Sequence, residues 1–488
     1  MTKPKSSFII LDYLYICILA FAVSLNSNTT LFWIREPKID SSVFLYIAQR
    51  MFYGEMPYRD SFDHKGPLVY IFDYLAELIS QTYGPWILDI VCVAASLIIF
   101  YLTAKLILNN RPSALILVTA SAAFIPEFYH GGNTVEIMAM PFIALALYIF
   151  CKYFIYNSIK NHELILFGLS FAAVLMLRVN MAAPWCIICI AVIIKEIRQK
   201  KAVEIKRYFL FFIAGAAVVI IPLLIWLFAG HAFNDFIEQY IVFNIKYSKV
   251  VGNEFQDYPV YEVFFSFLIK PQIISALIFS IFLCLRKKNL FAVSTTLILV
   301  LSTLASSISG RKYEHYVIAL IPLCIPAIAL GIKELNADLK KHNWKQFIAP
   351  LVVFVLFGII PLSVYFSRNG FDTKSGMDID MIRTLEYIEQ YTDENDEIAI
   401  YGNRDSILYL SNRKSVSKYS YQSPIANFDK SILDRYFSDI ETQKPKLVIV
   451  SGTAWGLEMS DLAEHVKKFE YEKLPSEGGT IVVIRLLS

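Results

Sequence analysis

Apolar runs long enough, or nearly long enough, to cross a membrane recur along the first three quarters of the chain. They lie at 8–25, 86–108, 113–129, 137–156, 164–179, 181–195, 208–229, 271–286, 290–308, 316–333 and 347–366. An α-helix rises about 1.5 Å per residue, so about 20 apolar residues cover the hydrocarbon core, and fewer suffice when flanking side chains snorkel. The pattern predicts about eleven spans, with the pair 164–195 built from two short members. The polar segments between runs sort by charge. Lys3 and Lys5, "KEIRQKKAVEIKR" (195–207), "RKKN" (286–289) and the Lys340–Lys345 loop are basic, and an eleven-span count puts all of them on one side. Positively charged loops stay in the cytoplasm. The opposite side then receives the long loop 26–85, the loop near 130–136, the loop 230–270, the turn "SGRKYEH" (309–315) and the C-terminal region.

From about 367 the periodicity changes. Short β-like runs at 397–402, 446–452 and 480–487 alternate with helical patterns near 378–392, 430–442 and 457–469. Alternation of this kind predicts a small α/β domain over 367–488, outside the membrane, following a membrane domain over 1–366. Neither an internal repeat nor a low-complexity linker stands out.

Composition supports this division. Of the 488 residues 56% are hydrophobic and only 18% charged, where soluble domains carry about 25%. The net charge of +3 comes without a basic arm, which excludes nucleic acid as the expected partner; the expected surroundings are membrane lipids. The seven cysteines fall in or beside apolar runs and read as small core residues. Cys186 and Cys189 form a CxxC inside an expected span, without a second pair. The first apolar run lacks a small-residue cleavage site and reads as a retained span.

The first outer loop is long for a connector. From Asp40, "DSSVFLYIAQRMFYG" sets Val43, Phe44, Ile47 and Met51 at helical spacing and ends in Gly54. This predicts an amphipathic helix on the membrane surface. After "EMPYRDSFDHKGP" a second apolar helix follows, "LVYIFDYLAELI". Asp40 reads either as an N-cap or as a carboxylate base at the membrane face. Lys65, before Gly66-Pro67, reads either as a snorkelling lysine or as a cation set against a phosphate. Asp60 and Asp63 either solvate the turn or pair with Arg59 and Lys65. His64 is a candidate metal ligand only if partners converge on it. Arg178 and Asn180, in "LRVNMAAP", sit at an expected outer turn, and charges at that depth are functional candidates. Asp89, just inside the second run, either faces the same cavity or is interfacial.

These residues resemble a family. "Asp40 … YIAQRMFYGEMPYRDSFDHKGPL" is similar to the first-loop signature of bacterial GT-C glycosyltransferases, the membrane enzymes that include protein O-mannosyltransferases and the lipid A aminoarabinose transferase. "GRKYEHYVIALIPL" (310–323) resembles the family segment that opens a late span, and "HGGNTVEIMAMP" (130–141) puts Glu136 at the second-loop acidic position. The resemblance implies a polytopic α-helical GT-C protein of the bacterial cell (inner) membrane, N-terminus in the cytoplasm and C-terminal domain outside. It implies transfer of a sugar from a polyprenyl-phosphate donor to an envelope glycan or lipid acceptor, with inversion. The implied roles are Asp40 and Glu136 as catalytic carboxylates and Lys65, Arg59, Arg311 and Arg178 as donor-phosphate contacts. Asp60, Asp63, His64, Asn133, Tyr313 and His315 would line the site. Family members with a metal carry an acid before the motif lysine; this chain has His64, which leaves a divalent metal open, with His64 and His315 as candidates. Asn133-x-x-Glu136 lacks the paired acids of protein mannosyltransferases, which weakens a protein acceptor. A polysaccharide polymerase or ligase places its large loop later, and a transporter of lipid-linked sugars places charges mid-span, often in repeated halves.

Overall fold

In the computed structural model the described residues are 6–32, 35–249, 258–338, 348–360, 362–363, 377–451, 457, 459–476 and 478–487. Lys3, Lys5, the Lys340–Lys345 loop and the start of the expected C-terminal domain at 367 lie outside them. In chain order, leaving aside the short helical segments between Phe233 and Lys249, the helices are α1 (Ser6–Ser24), α2 (Ile39–Met51), α3 (Pro67–Ile79), α4 (Gly84–Leu108), α5 (Arg111–Phe124), α6 (Val135–Tyr156), α7 (Asn161–Leu175), α8 (Ala183–Arg198) and α9 (Ala202–Ala229). They continue with α10 (Val260–Leu268), α11 (Pro271–Lys287), α12 (Leu290–Ser307), α13 (Ile321–Asp338), α14 (Ile348–Phe354), α15 (Ile379–Tyr391), α16 (Ser406–Ser411), α17 (Ser431–Gln443) and α18 (Met459–Val466).

The local chemistry explains many of the ends. Asn110, Thr134 and Asn289 accept backbone N–H bonds at the starts of α5, α6 and α12, relieving donors that lack an intrahelical partner. Proline stands in the first turn of α3, α5, α8 and α11, where its missing N–H costs nothing. Among the described residues, six helices are long and apolar enough to cross a membrane, or seven if α10 and α11, bent by 87° at their junction, count as one broken span. The helices over several other expected runs are shorter. The run 113–129 ends as a helix at Phe124 and turns into a 3₁₀ segment, Ile125–Phe128, at Pro126; α7 stops at Leu175.

Two compact units divide the chain. The first comprises Met1–Thr30, Trp86–Leu223 and Tyr258–Thr373; the second comprises Leu31–Pro85, Leu224–Asp257 and Lys374–Ser488. In the first, the segment Glu314–Ala337 is the innermost span, with 94% of its apolar stretch buried. It is the one opened by "GRKYEHY". α7 and α9 cross closely because Gly168 and Gly215 carry no side chain. A Cβ on either would come within about 2 Å of a carbonyl of the other helix, Phe212 O and Ile165 O respectively, the small-residue contact by which membrane helices approach.

The second unit holds a five-stranded mixed sheet in the order β2-β1-β3-β5-β4, with β1 Glu397–Tyr401, β2 Lys414–Ser415, β3 Leu447–Ser451, β4 Tyr471–Lys473 and β5 Ile481–Leu486. β1 pairs parallel with β2 and β3, while β5 runs antiparallel to β3 and β4. Every residue of β3 is buried, as expected for a strand covered on both faces. Tyr436, Phe437 and Ile440 of α17 and Leu462 of α18 join Tyr401, Val448 and Val450 in the core. The expected strands and helices of this region are present within a few residues; α16, β2 and β4 are additional.

The first loop departs from expectation. The apolar face of α2 is covered by protein and is not left open for a membrane surface. Val43 through Ala48 are all at most 4% exposed, because α2 packs against α3 and α16 of the same unit. Its polar groups find partners there. Gln49 Nε2 donates to the Tyr409 carbonyl at 3.1 Å, and Tyr46 Oη accepts from Ser415 N at 2.8 Å. The helix with an outward apolar face is α3, which exposes Leu75, Leu78 and Ile79 while burying Asp73 and Glu77. That inverted distribution suits a helix that meets lipid on one side and protein on the other.

Candidate active site

Each unit assembles its own group of the expected residues. In the second unit the segment between α2 and α3 folds tightly. Tyr58 adopts φ 71°, and the buried Tyr58 Oη donates to the Lys65 carbonyl at 2.7 Å. Gln239 clamps the same turn, donating to Tyr58 O at 2.7 Å and accepting from Asp63 N at 3.2 Å. Arg59 forms a two-pronged pair with Asp60 and donates to Gly230 O at 2.8 Å. Asp60 also accepts from Met56 N at 2.7 Å. Although partial burial opposes it, the Arg59 bond keeps the Asp60 carboxyl below its ordinary range. Arg59 and Asp60 thus brace the turn.

Asp63 is buried. It accepts from Tyr70 Oη at 2.8 Å, Tyr421 Oη at 3.1 Å and His64 N at 2.7 Å. Burial raises its pKa, against the opposing pull of the Lys65 charge and the Tyr70 bond; Asp40 adds to the rise. Lys65 is half-buried. Its Nζ lies 3.3 Å from His64 Nε2 and 5.6 Å from the centroid of the Phe44 ring. Among the described residues it forms no ion pair with a carboxylate. Asp40 is not the cap of α2: Lys38 holds that place and Asp40 sits in the first turn, half-buried, at the positive end of the helix dipole. Asp40 and Phe44 are four residues apart and share a helix face. The Lys65 ammonium over Phe44 therefore lies on the side of α2 that carries Asp40.

Sequence reasoning missed four residues of this group. Phe44 and Tyr70 read only as helix-face hydrophobes. Tyr421 and Asp405 come from more than 330 residues downstream and carry no local signal. Asp405 is fully buried, and burial, only partly offset by the Ser420 hydroxyl, pushes its carboxyl up to about 7, with Asp63 adding to the rise.

The first unit gathers Asn133, Glu136, Arg178, Arg311, Tyr313 and His315. Four successive residues of the loop before α6, His130 to Asn133, have positive φ. Gly132 is required at φ +80°, since a Cβ there would meet Asp89 Oδ2 at 2.3 Å. Asp89 accepts from Asn133 N at 3.0 Å, so this acid fastens the loop that starts α6. Glu136, in the first turn of α6, pairs with Arg178 Nη1 at 2.6 Å. The Arg178 guanidinium lies 3.9 Å from the centroid of the Tyr316 ring. His315 stacks on Tyr313 and stands 5.0 Å, centroid to centroid, from His130. Arg311 is buried in the turn before them. Asn180 lies in the 3₁₀ turn Val179–Ala182 that precedes α8.

A divalent metal fits poorly at either histidine. Among the described residues no group of three or more His, Cys, Asp or Glu side chains converges as a metal site, and the Lys65 ammonium stands 3.3 Å from His64 Nε2. Zinc sites use three or four such ligands.

Comparison with known proteins places the chain. The family model described as "Putative competence-induced protein Ccs4 N-terminal domain" matches residues 2–367, three quarters of the sequence. The chain belongs to the Ccs4 family. No curated protein matches it significantly. Solved structures do. ArnT from Cupriavidus metallidurans bound to undecaprenyl phosphate is similar at TM-score 0.65 and 11% identity, over 99% of both chains. The Archaeoglobus fulgidus oligosaccharyltransferase in its apo form is similar at TM-score 0.55 and 10% identity, over 94% of this chain and 73% of that one. The archaeal oligosaccharyltransferase AglB from Archaeoglobus fulgidus, in complex with an inhibitory peptide and a dolichol-phosphate, gives 0.51 and 12%, over 96% and 74%. This Ccs4-family chain has the GT-C fold: a multi-pass α-helical membrane protein with a small C-terminal α/β sheet region.

Proposed function

We propose that the protein is a GT-C glycosyltransferase that moves a sugar from a polyprenyl-phosphate donor to an envelope glycan or lipid acceptor. The work is done at the outer face of the cell membrane, with the N-terminus inside and the region 367–488 outside, beyond the membrane domain 1–366. The fold supports the class. ArnT binds undecaprenyl phosphate and AglB binds a dolichol-phosphate in the structures named above, which supports a lipid phosphate as the leaving group here.

The observation that carries the reading is Lys65, a half-buried cation with no carboxylate in ion-pair distance among the described residues, on the side of α2 that holds Asp40. In the proposed step an acceptor hydroxyl attacks the anomeric carbon and the bond from that carbon to the phosphate oxygen breaks. The electron pair leaves with the lipid phosphate, which Lys65 stabilises as its charge develops. Asp40 takes the hydroxyl proton. One displacement inverts the anomeric centre. Asp63, held by Tyr70 and Tyr421, positions the Lys65 loop; Arg59 and Asp60 brace it. Glu136, engaged by Arg178, holds that guanidinium rather than serving as the base. Arg311, His315 and Tyr313 order the outer end of the innermost span.

The test is purified full-length protein supplied with a panel of polyprenyl-phosphate sugars, following donor consumption and product anomeric configuration. Turnover of one donor with inversion supports the reading. Full activity of Asp40→Asn removes Asp40 as base, and consumption of none of the donors by the parent protein defeats the transferase assignment.

A further inference from the structure

The second unit contains a pocket of about 430 Å³ lined by Val416, Lys418, Tyr419, Arg435, Asp439 and Gln443, within the range of about 300–1,000 Å³ usual for small-ligand sites. One wall is the segment after β2; the other is a single face of α17, where Arg435, Asp439 and Gln443 recur every four residues. Ser417 Oγ donates to Asp439 at 2.7 Å and ties the two walls together.

The charge in this pocket is balanced. Lys418 pairs with Asp235 at 2.6 Å and Arg435 with Asp439 at 3.1 Å. Asp429 and Glu238 add negative charge around Tyr419. A phosphate or carboxylate ligand would find no unmatched cation among the described residues, and a cationic ligand would meet Lys418 and Arg435. What the walls do offer is a half-exposed phenol ring and a mixture of donors and acceptors: guanidinium, ammonium, carboxylate and terminal amide. Sugar hydroxyls both donate and accept, and a ring's C–H face packs on an aromatic surface.

The pocket is also tied to the first-loop group. Lys418 O accepts from Phe62 N at 2.9 Å, and the Tyr419 ring lies 5.3 Å from that of Phe62, the residue before Asp63. Two residues beyond Tyr419, a stretch of chain that spans at most about 7 Å, Tyr421 bonds Asp63 itself.

We infer that this pocket is an acceptor subsite that takes an uncharged, hydroxyl-rich sugar residue of the acceptor glycan; its acceptor role rests on the transferase reading above. The test uses full-length protein in a sugar-free detergent, titrated by saturation-transfer NMR with the methyl glycosides of glucose, galactose and N-acetylglucosamine. A methyl glucuronide and a methyl glucosaminide serve as anionic and cationic counterparts. At least one neutral glycoside should bind, and Tyr419→Ala and Gln443→Ala should each weaken it about tenfold or more. Gln443 is exposed at the end of α17, so its variant is expected to fold. Gln443→Ala should also raise KM for a glycan acceptor while donor hydrolysis in the absence of acceptor stays unchanged. The inference is overturned if no neutral glycoside binds, if both variants bind within twofold of the parent, or if a charged glycoside binds more tightly. Neutral glycosides binding to protein that consumes no donor would overturn the acceptor role and the transferase reading while leaving the pocket a glycan site. Donor turnover without glycoside binding would sink the pocket alone.

Discussion

Arg178 and Lys65 are both cations that the sequence offers as phosphate contacts, and their surroundings differ in kind. Arg178 is closed in: Glu136 lies 2.6 Å from its Nη1 and the Tyr316 ring covers its plane. Lys65 has an imidazole nitrogen and an aromatic face beside it, and no carboxylate within ion-pair distance among the described residues. A charge taken from water is costly unless it is matched. Where the match is internal, as at Arg178, the pair is a structural element. Where no carboxylate lies in ion-pair distance, as at Lys65 among the described residues, the proposed match is an incoming phosphate. Residue type does not separate the two cases; the partner does.

The sharpest way to break this comparison is to remove Asp40, the carboxylate on the same side of α2 as the Lys65 ammonium. Asp40→Asn should lower transfer by about 10²–10⁴-fold, with membrane insertion and thermal unfolding unchanged; activity within a few-fold of the parent would refute the base assignment. The counterpart in the first unit is Glu136→Ala, which leaves the Arg178 charge without its partner. It should destabilise the fold by about 3–5 kcal/mol, seen as a large drop in unfolding temperature. Replacing both partners, Glu136→Gln with Arg178→Met, should recover much of that loss. If Glu136→Ala instead kept full stability and abolished only turnover, Glu136 would be a catalytic group and the contrast would collapse.

A smaller effect is expected at Lys65. Lys65→Ala should weaken donor-lipid binding about tenfold to a hundredfold, measured as the apparent donor KM, without a change in unfolding temperature. An unchanged donor affinity would remove the phosphate role. The last effect concerns Asp405, whose folded-state carboxyl is raised from 3.8 to about 7 by burial. A raised acid favours the folded state while protonated, so its contribution is present below about pH 4 and is lost as pH rises through about 7. Asp405→Asn should match the parent at pH 4 and become progressively more thermostable than it toward pH 7. An equal difference across that range would show that Asp405 does not titrate there.

Much of this was legible in the chain because lipid imposes a simple rule: backbone polar groups must be satisfied within each span, so apolar length reads directly as helix. The alternation after 378 read as strands and helices for a related reason, since β1 and β3 are buried runs bounded by turn residues. The motif residues Asp40, Arg59, Asp60 and Lys65 were visible as a charged cluster beside apolar helices. Their division of labour was not. Arg59 reads from the sequence as a phosphate contact or as a partner of Asp60, and only the structure shows its two-pronged bond to Asp60 and its bond to Gly230 O. The amphipathic spacing of α2 fitted a membrane surface equally well until α16 and β2 were seen to supply partners for Gln49 and Tyr46. Periodicity reports that a face is apolar, not what covers the opposite one.

The sequence by itself determined the membrane body, the α/β region, the resemblance to GT-C enzymes and the set of residues from which a site could be built. These rest on local properties: length of apolar runs, turn chemistry and short motifs. Only the tertiary structure decided which carboxylate meets which cation. Asp63 acquires Tyr421 from 358 positions away, Glu136 takes Arg178 from 42 away, and Lys65 has no carboxylate within ion-pair distance among the described residues. Ion pairing and burial act through space over a few ångströms, and separation along a chain carries almost no information about distances on that scale.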